Sequence, residues 1–226
     1  MAISRRILPS VSAFLKVFQD HLARRPWKRR SPVADPSALR EFLETRSSYV
    51  AQYSLYGYLR TRAGTRYPEL FSNDNFVVSI NIAKWHIWLD CVSDLGVYTG
   101  GLIASRTGAP PERIGALMTA SVDAVLREAA SPAEAGAEFD GHADRVRARL
   151  AMCSWTAVPD DGTPFVESPA SLVYWAPIVE SLKELDDEIV RNSVRYRWQE
   201  IRRELRRLLD AAAVLAAYDS SLPPAD

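Results

Sequence analysis

Residues 73–105, NDNFVVSINIAKWHIWLDCVSDLGVYTGGLIAS, constrain the fold more than any other stretch. No proline interrupts them, and at about 100° per residue apolar side chains cover most of a helix circumference. Phe76, Val78, Ile82, Trp85, Leu89, Val92 and Leu102 supply that cover. What remains is one narrow polar line of Asn75, Ser79, His86, Asp90, Ser93 and Asp94, all within about 60° of its axis. A helix apolar on nearly every side has to be surrounded by other helices. A bilayer is the wrong surrounding: Lys84, His86, Asp90 and Asp94 lie inside the run, and Lys or Asp costs roughly 2.5 to 3.5 kcal/mol each near a bilayer centre. No transmembrane segment is expected. The sequence therefore predicts an all-α protein, a bundle of five or six helices around a central buried helix.

Net charge is zero overall but unevenly placed. Residues 1–34 carry Arg5, Arg6, Lys16, Arg24, Arg25, Lys28, Arg29 and Arg30 against Asp20, which makes this arm +7 and the remainder −7. Ile7, Leu8, Val11, Phe14, Leu15, Phe18 and Leu22 recur in it at helical spacing. Such a basic amphipathic arm either docks on an acidic body or meets an anionic partner. Trp27 among Arg24, Arg25, Lys28, Arg29 and Arg30 suits a membrane interface. Together with Arg5 and Arg6 these form the candidate surface-binding set. Signal-peptide criteria are not met, because Ser10, Ser12, Lys16 and Asp20 interrupt the apolar residues. Cys91 and Cys153 lie far apart without a CxxC pattern, which points to a reducing compartment. The expectation is a cytoplasmic protein, peripheral to the inner face of a membrane.

Further along, Asp35-Pro36 supplies an N-cap and a first-turn proline, so a helix is expected from there to about Arg62, with Gly64 just past its end. Tyr49, Tyr53 and Tyr56 stand on one side of it, a spacing that reads first as core packing and second as a cavity lining. The central helix is expected to end at Thr107-Gly108-Ala109-Pro110-Pro111, with Gly100-Gly101 thinning its packing face. A fourth helix begins at about Pro111, and Val146, Leu150 and Cys153 mark a short fifth. Residues 154–177, with Pro159, Pro164, Pro169 and Pro177, read as a long irregular loop within a single helical domain spanning 35–226. From Pro177 to about Tyr218 a long C-terminal helix is expected, with a break near Asn192-Ser193. Its apolar positions include Leu182, Leu185, Ile189, Val194, Trp198 and Leu205. Acids crowd its first half and arginines its second.

No GxSxG elbow, phosphate-binding loop, GxGxxG or HExxH is present. The one constellation with chemistry is His86, Asp90 and Asp94, four residues apart along one face. As a site, His86, Asp90 and Asp94 would be the catalytic residues, with Asp90 and Asp94 holding a magnesium ion. The second acid cluster, Asp186-Asp187-Glu188, would then face them. That DxxxD spacing is similar to the aspartate-rich motifs of isoprenoid diphosphate enzymes. The favoured alternative is a buried ion-pair seam in which Asp90 and Asp94 meet Arg191, Arg195 or Arg197, because a charge on a buried helix needs a partner in either case. The late arginines could contact nucleic acid, but Glu200, Glu204 and Asp210 among them favour a salt-bridged surface.

The runs TRSSYVAQYSLYGYLRTRAGTRYPELF and YWAPIVESLKELDDEIVRNSVRYRWQEIRRELR resemble a family of uncharacterised all-helical bacterial proteins sometimes labelled "esterase". The resemblance spans most of residues 39–209. It implies a helical fold and a hydrolase label without supplying any catalytic residue. A serine esterase needs an activated serine beside a base, and only Ser79 and Ser93 share a face with His86. The sequence thus favours a non-catalytic helical binding or assembly protein that engages protein partners, at an anionic membrane surface. The alternative is a small magnesium-dependent or esterase-type enzyme using His86, Asp90 and Asp94.

Overall fold

A computed structural model describes residues 31–222. Arg5, Arg6, Arg24, Arg25, Trp27, Lys28, Arg29 and Arg30, and the helix expected around them, lie outside the described residues. The fold is all-α, and among the described residues the only β pairing is one isolated parallel bridge between Val33 and Leu209.

Helix α1 spans Pro36–Ala63. The Asp35 carboxylate accepts from the amides of Ser37 and Ala38 at 2.8 and 2.9 Å, and Pro36, which has no amide to satisfy, takes the first position. A 3₁₀ turn, Gly64–Arg66, and one turn of helix α2, Tyr67–Leu70, follow it. Proline is tolerated in the first turn of a helix, so Pro68 stands at the second position of α2. Helix α3, Asp74–Thr107, is the central helix; Asn73 caps its start by accepting from the Phe76 amide, and Gly108 ends it in the left-handed conformation at φ 61°. Helix α4 is Pro111–Ala129, and it buries Ile114, Leu117, Met118, Val122, Val125 and Leu126. Helix α5 is Phe139–Ala151.

The stretch 154–177 is not an irregular loop. It contains a 3₁₀ turn, Trp155–Ala157, and helix α6, Glu167–Trp175. Its prolines mark boundaries: Pro169 sits within the first turn of α6, where no amide donor is needed, and Pro177 lies just beyond the end. Helix α7, Glu180–Leu208, runs unbroken through Asn192-Ser193. The break comes instead at Leu209-Asp210, before helix α8, Ala211–Ser220. Three contacts fix it there. Val33 donates to the Leu208 carbonyl at 2.8 Å, Asp210 donates to the Val33 carbonyl at 3.0 Å, and the Asp210 side chain caps α8 through the Ala213 amide. Arg106 adds donors to the carbonyls of Arg206 and Leu209 at 2.7 and 2.9 Å. Val33, expected in the basic arm, therefore belongs to the helical body, where it is 3% exposed.

Helix α3 packs against α1, α4, α5, α6 and α8, and from Cys91 to Ala104 all its residues are buried. Its first turns are less covered than expected, with Val78 57% exposed. At Gly100 and Gly101 other parts of the chain lie directly on α3: a Cβ on Gly100 would fall into the Trp155 ring, and one on Gly101 would lie 2.5 Å from the Val158 side chain. Helix α7 forms an outer layer on α1 and α6. It buries Val190, Val194, Trp198, Ile201 and Leu205 inward, whereas Leu185 and Ile189 point out, at 79% and 75% exposure. On α1, Tyr49 and Tyr56 pack against the core while Tyr53 is half exposed under the Arg197 guanidinium.

Candidate functional site

The polar line of α3 divides into three parts. Asn75 and Ser79 lie at the surface, and the Ser79 hydroxyl donates to the Asn75 carbonyl one turn back. His86 and Asp90 meet His142 of α5: His142 Nε2 lies 2.8 Å from Asp90 Oδ1, and its Nδ1 lies 2.7 Å from His86 Nδ1. Asp94 meets Arg149 of α5 and the start of α6.

In the middle part, a carboxylate next to Nε2 holds the proton on that nitrogen. One of the two facing Nδ1 atoms donates to the other, so a hydrogen-bonded chain runs from His86 through His142 to Asp90. His86 is wholly buried. Its ring stacks on Trp175 with centroids 3.8 Å apart, and its Nε2 makes no well-formed hydrogen bond. Burial, and next the neighbouring His142, push the His86 pKa down to about 4, so the ring is neutral at ordinary pH.

Asp94 is also wholly buried. One oxygen accepts from Arg149 Nη1 at 2.7 Å and from the Glu167 amide at 3.2 Å; the other accepts from the Ser168 amide at 2.8 Å and the Ser168 hydroxyl at 2.7 Å. The carboxylate is thus the N-terminal cap of α6, supplied by a helix more than seventy residues earlier. Arg149 extends the network to the Ser93 hydroxyl and the Pro164 carbonyl, and Trp198 of α7 donates from its indole to the Ser168 hydroxyl at 2.9 Å. Burial raises the Asp94 pKa to about 6, with Arg149 and Ser168 pulling it back down.

The partners are therefore His142 and Arg149, not Arg191, Arg195 or Arg197. Helix α6 packs on both α3 and α7 and takes up the space through which those arginines would have reached. Arg191 pairs with Asp187, Arg195 donates to Asn192, and Arg197 covers Tyr53. Nor does the second acid cluster face the first. Asp186 is held by Arg62 and the Tyr58 hydroxyl of α1, and Asp187 by Arg191. Asp90 goes to His142 and Asp94 to Arg149 and Ser168, so the two carboxylates have separate partners. Among the described residues no group of three or more His, Cys, Asp and Glu side chains is placed to hold a metal.

A cleft of about 610 Å³ adjoins this seam, and Asp90, His142, Arg145, Glu167, Ser171 and Trp175 are among its walls. The Ser171 hydroxyl is buried there without a hydrogen-bond partner. His142, Arg149, Ser168 and Trp175 were not singled out in the sequence. One signal for the first two was present: His142 and Arg149 stand seven residues apart on one face of α5, close to the eight that separate His86 from Asp94.

No protein-family model, curated protein or solved structure matches this chain.

Proposed function

We propose that this chain is a non-catalytic helical binding or assembly protein that engages protein partners through the outer face of α7. One observation carries the reading: the buried polar groups of α3 are engaged by α5 and the start of α6, whereas the large apolar side chains Leu185, Ile189 and Tyr196 stand outward at 79%, 75% and 73% exposure. Apolar side chains that share a helix face and stand this exposed suit a partner. The +7 balance of residues 1–34 and Trp27 support contact with an anionic membrane surface. Two measurements test this. Replacing Arg24, Arg25, Lys28, Arg29 and Arg30 by Gln abolishes cosedimentation with phosphatidylserine vesicles, and Ile189→Glu removes in-cell crosslinks to other polypeptide chains, copies of this one included. Unchanged sedimentation and unchanged crosslinks would refute the reading.

A second reading, a small hydrolase, is favoured by one observation, that Asp90 and His142 line the cleft. Against it, both ring nitrogens of His142 are already engaged. Ser79 and Ser93 bond to Asn75 and Arg149 rather than to a histidine. A general base must reach the proton that it removes.

A further inference from the structure

From the outward face of α7 we infer that the partner is a second copy of this chain, docked antiparallel along that helix; the inference rests on the binding reading above. Leu182, Leu185, Ile189, Asn192, Tyr196 and Gln199 follow one another at alternating intervals of three and four residues, the spacing of a two-helix seam. This seam is opposite the buried line of Val190, Val194, Trp198 and Leu205, so the same helix serves the core with one side and offers the other to solvent.

Charge chooses both the occupant and its direction. The first half of α7 carries Glu180, Glu184, Asp187 and Glu188, and the second half Arg195, Arg202, Arg203 and Arg207. In a parallel pair, acid would lie against acid and arginine against arginine. In an antiparallel pair the halves complement each other, and a two-fold axis near the Val190–Arg191 peptide makes the surface self-complementary. That register sets Leu185 against Tyr196 of the second copy and Ile189 against Asn192. Flanking the seam, Glu188 comes opposite Arg195, and the symmetry repeats this pair on the other side.

The full-length chain is examined by sedimentation equilibrium at micromolar concentrations, with helicity monitored by circular dichroism. The expected result is a reversible dimer. Ile189→Glu, at an exposed position, weakens it roughly tenfold or more without loss of helicity. Glu188→Arg and Arg195→Glu each weaken self-association, because each sets like charges together. An equimolar mixture of the two variants forms a heterodimer. In it the two introduced side chains face each other across one flank of the seam, and the native Glu188 and Arg195 face each other across the other. A monomeric wild-type chain, or single variants that dimerise as well as wild type, or a mixture that stays monomeric, would overturn the proposal. Thiol labelling of Ile189→Cys separates the causes in a monomeric chain: a protected thiol means that another part of the chain covers this face. A freely labelled thiol leaves the wider partner-binding reading standing, to be judged by the crosslinking experiment.

Discussion

The carboxylate of Asp94 accepts from both the amide and the hydroxyl of Ser168, at 2.8 and 2.7 Å, so the central helix caps a short helix from the other end of the chain. Arg149 closes the same cluster at 2.7 Å. Removing one member of a buried charge pair costs about 3 to 5 kcal/mol, because the other is left uncompensated. Asp94→Ala and Arg149→Met are each expected to lower the melting temperature by roughly 6 to 20 °C for a chain of this size. The double variant should lose less than the sum of the two. Denaturant melts of the four proteins form the cycle that measures the coupling.

Two buried titratable groups of the seam, His86 and Asp94, oppose each other in pH dependence. His86 has its pKa lowered to about 4 from 6.5, so the unfolded chain binds the proton first, and its contribution is lost as pH falls from 6.5 towards 4. Asp94 has its pKa raised to about 6 from 3.8, so the folded chain binds the proton first, and its contribution is lost as pH rises from 3.8 through 6. Between about pH 4.5 and 6 the wild-type stability should therefore be nearly flat. Asp94→Asn leaves the histidine alone and should become less stable on acidification, whereas His86→Phe should become more stable. Stability slopes from urea melts across that window check the signs.

Gly100 lets the Trp155 ring lie directly on α3. Alanine raises helix propensity by about 1 kcal/mol, but overpacking a closed contact costs typically 1 to 3 kcal/mol. Gly100→Ala is thus expected to destabilise, whereas Gly57→Ala, where a Cβ meets nothing within 4 Å, should be neutral or stabilising. Thermal melts of the two variants separate these outcomes.

With both His142 nitrogens engaged and neither Ser79 nor Ser93 bonded to a histidine, ester hydrolysis should not exceed background. A p-nitrophenyl acetate assay on wild type and His142→Gln should give equal rates. A wild-type rate well above that of the variant would favour the hydrolase reading.

The parts of this fold that depend on neighbouring residues were legible in the sequence. Asp35-Pro36 starts α1 and Gly108 ends α3 as expected, and α4 begins at Pro111. Helix α6 escapes a sequence reading because its cap is not local: nothing before Glu167 announces a helix whose first amides bond to a side chain of α3. The misplaced partners follow from that omission. Without α6, the arginines of α7 have an open path to Asp94. The break in the last helix is misplaced for a similar reason, since Val33 and Arg106, distant in sequence, fix it at Leu209. Leu185 and Ile189 fit a helical apolar pattern equally well on either side of α7, and only the packing of α1 and α6 decides that they face outward.

Asp94, on the polar line of α3, holds α6 in place. Amide hydrogen exchange in wild type and Asp94→Ala tests this most directly. Exchange across Glu167–Trp175 should accelerate by roughly a hundredfold or more, beyond any change in the buried amides of α4. Unchanged protection of Glu167–Trp175 in the variant would contradict it.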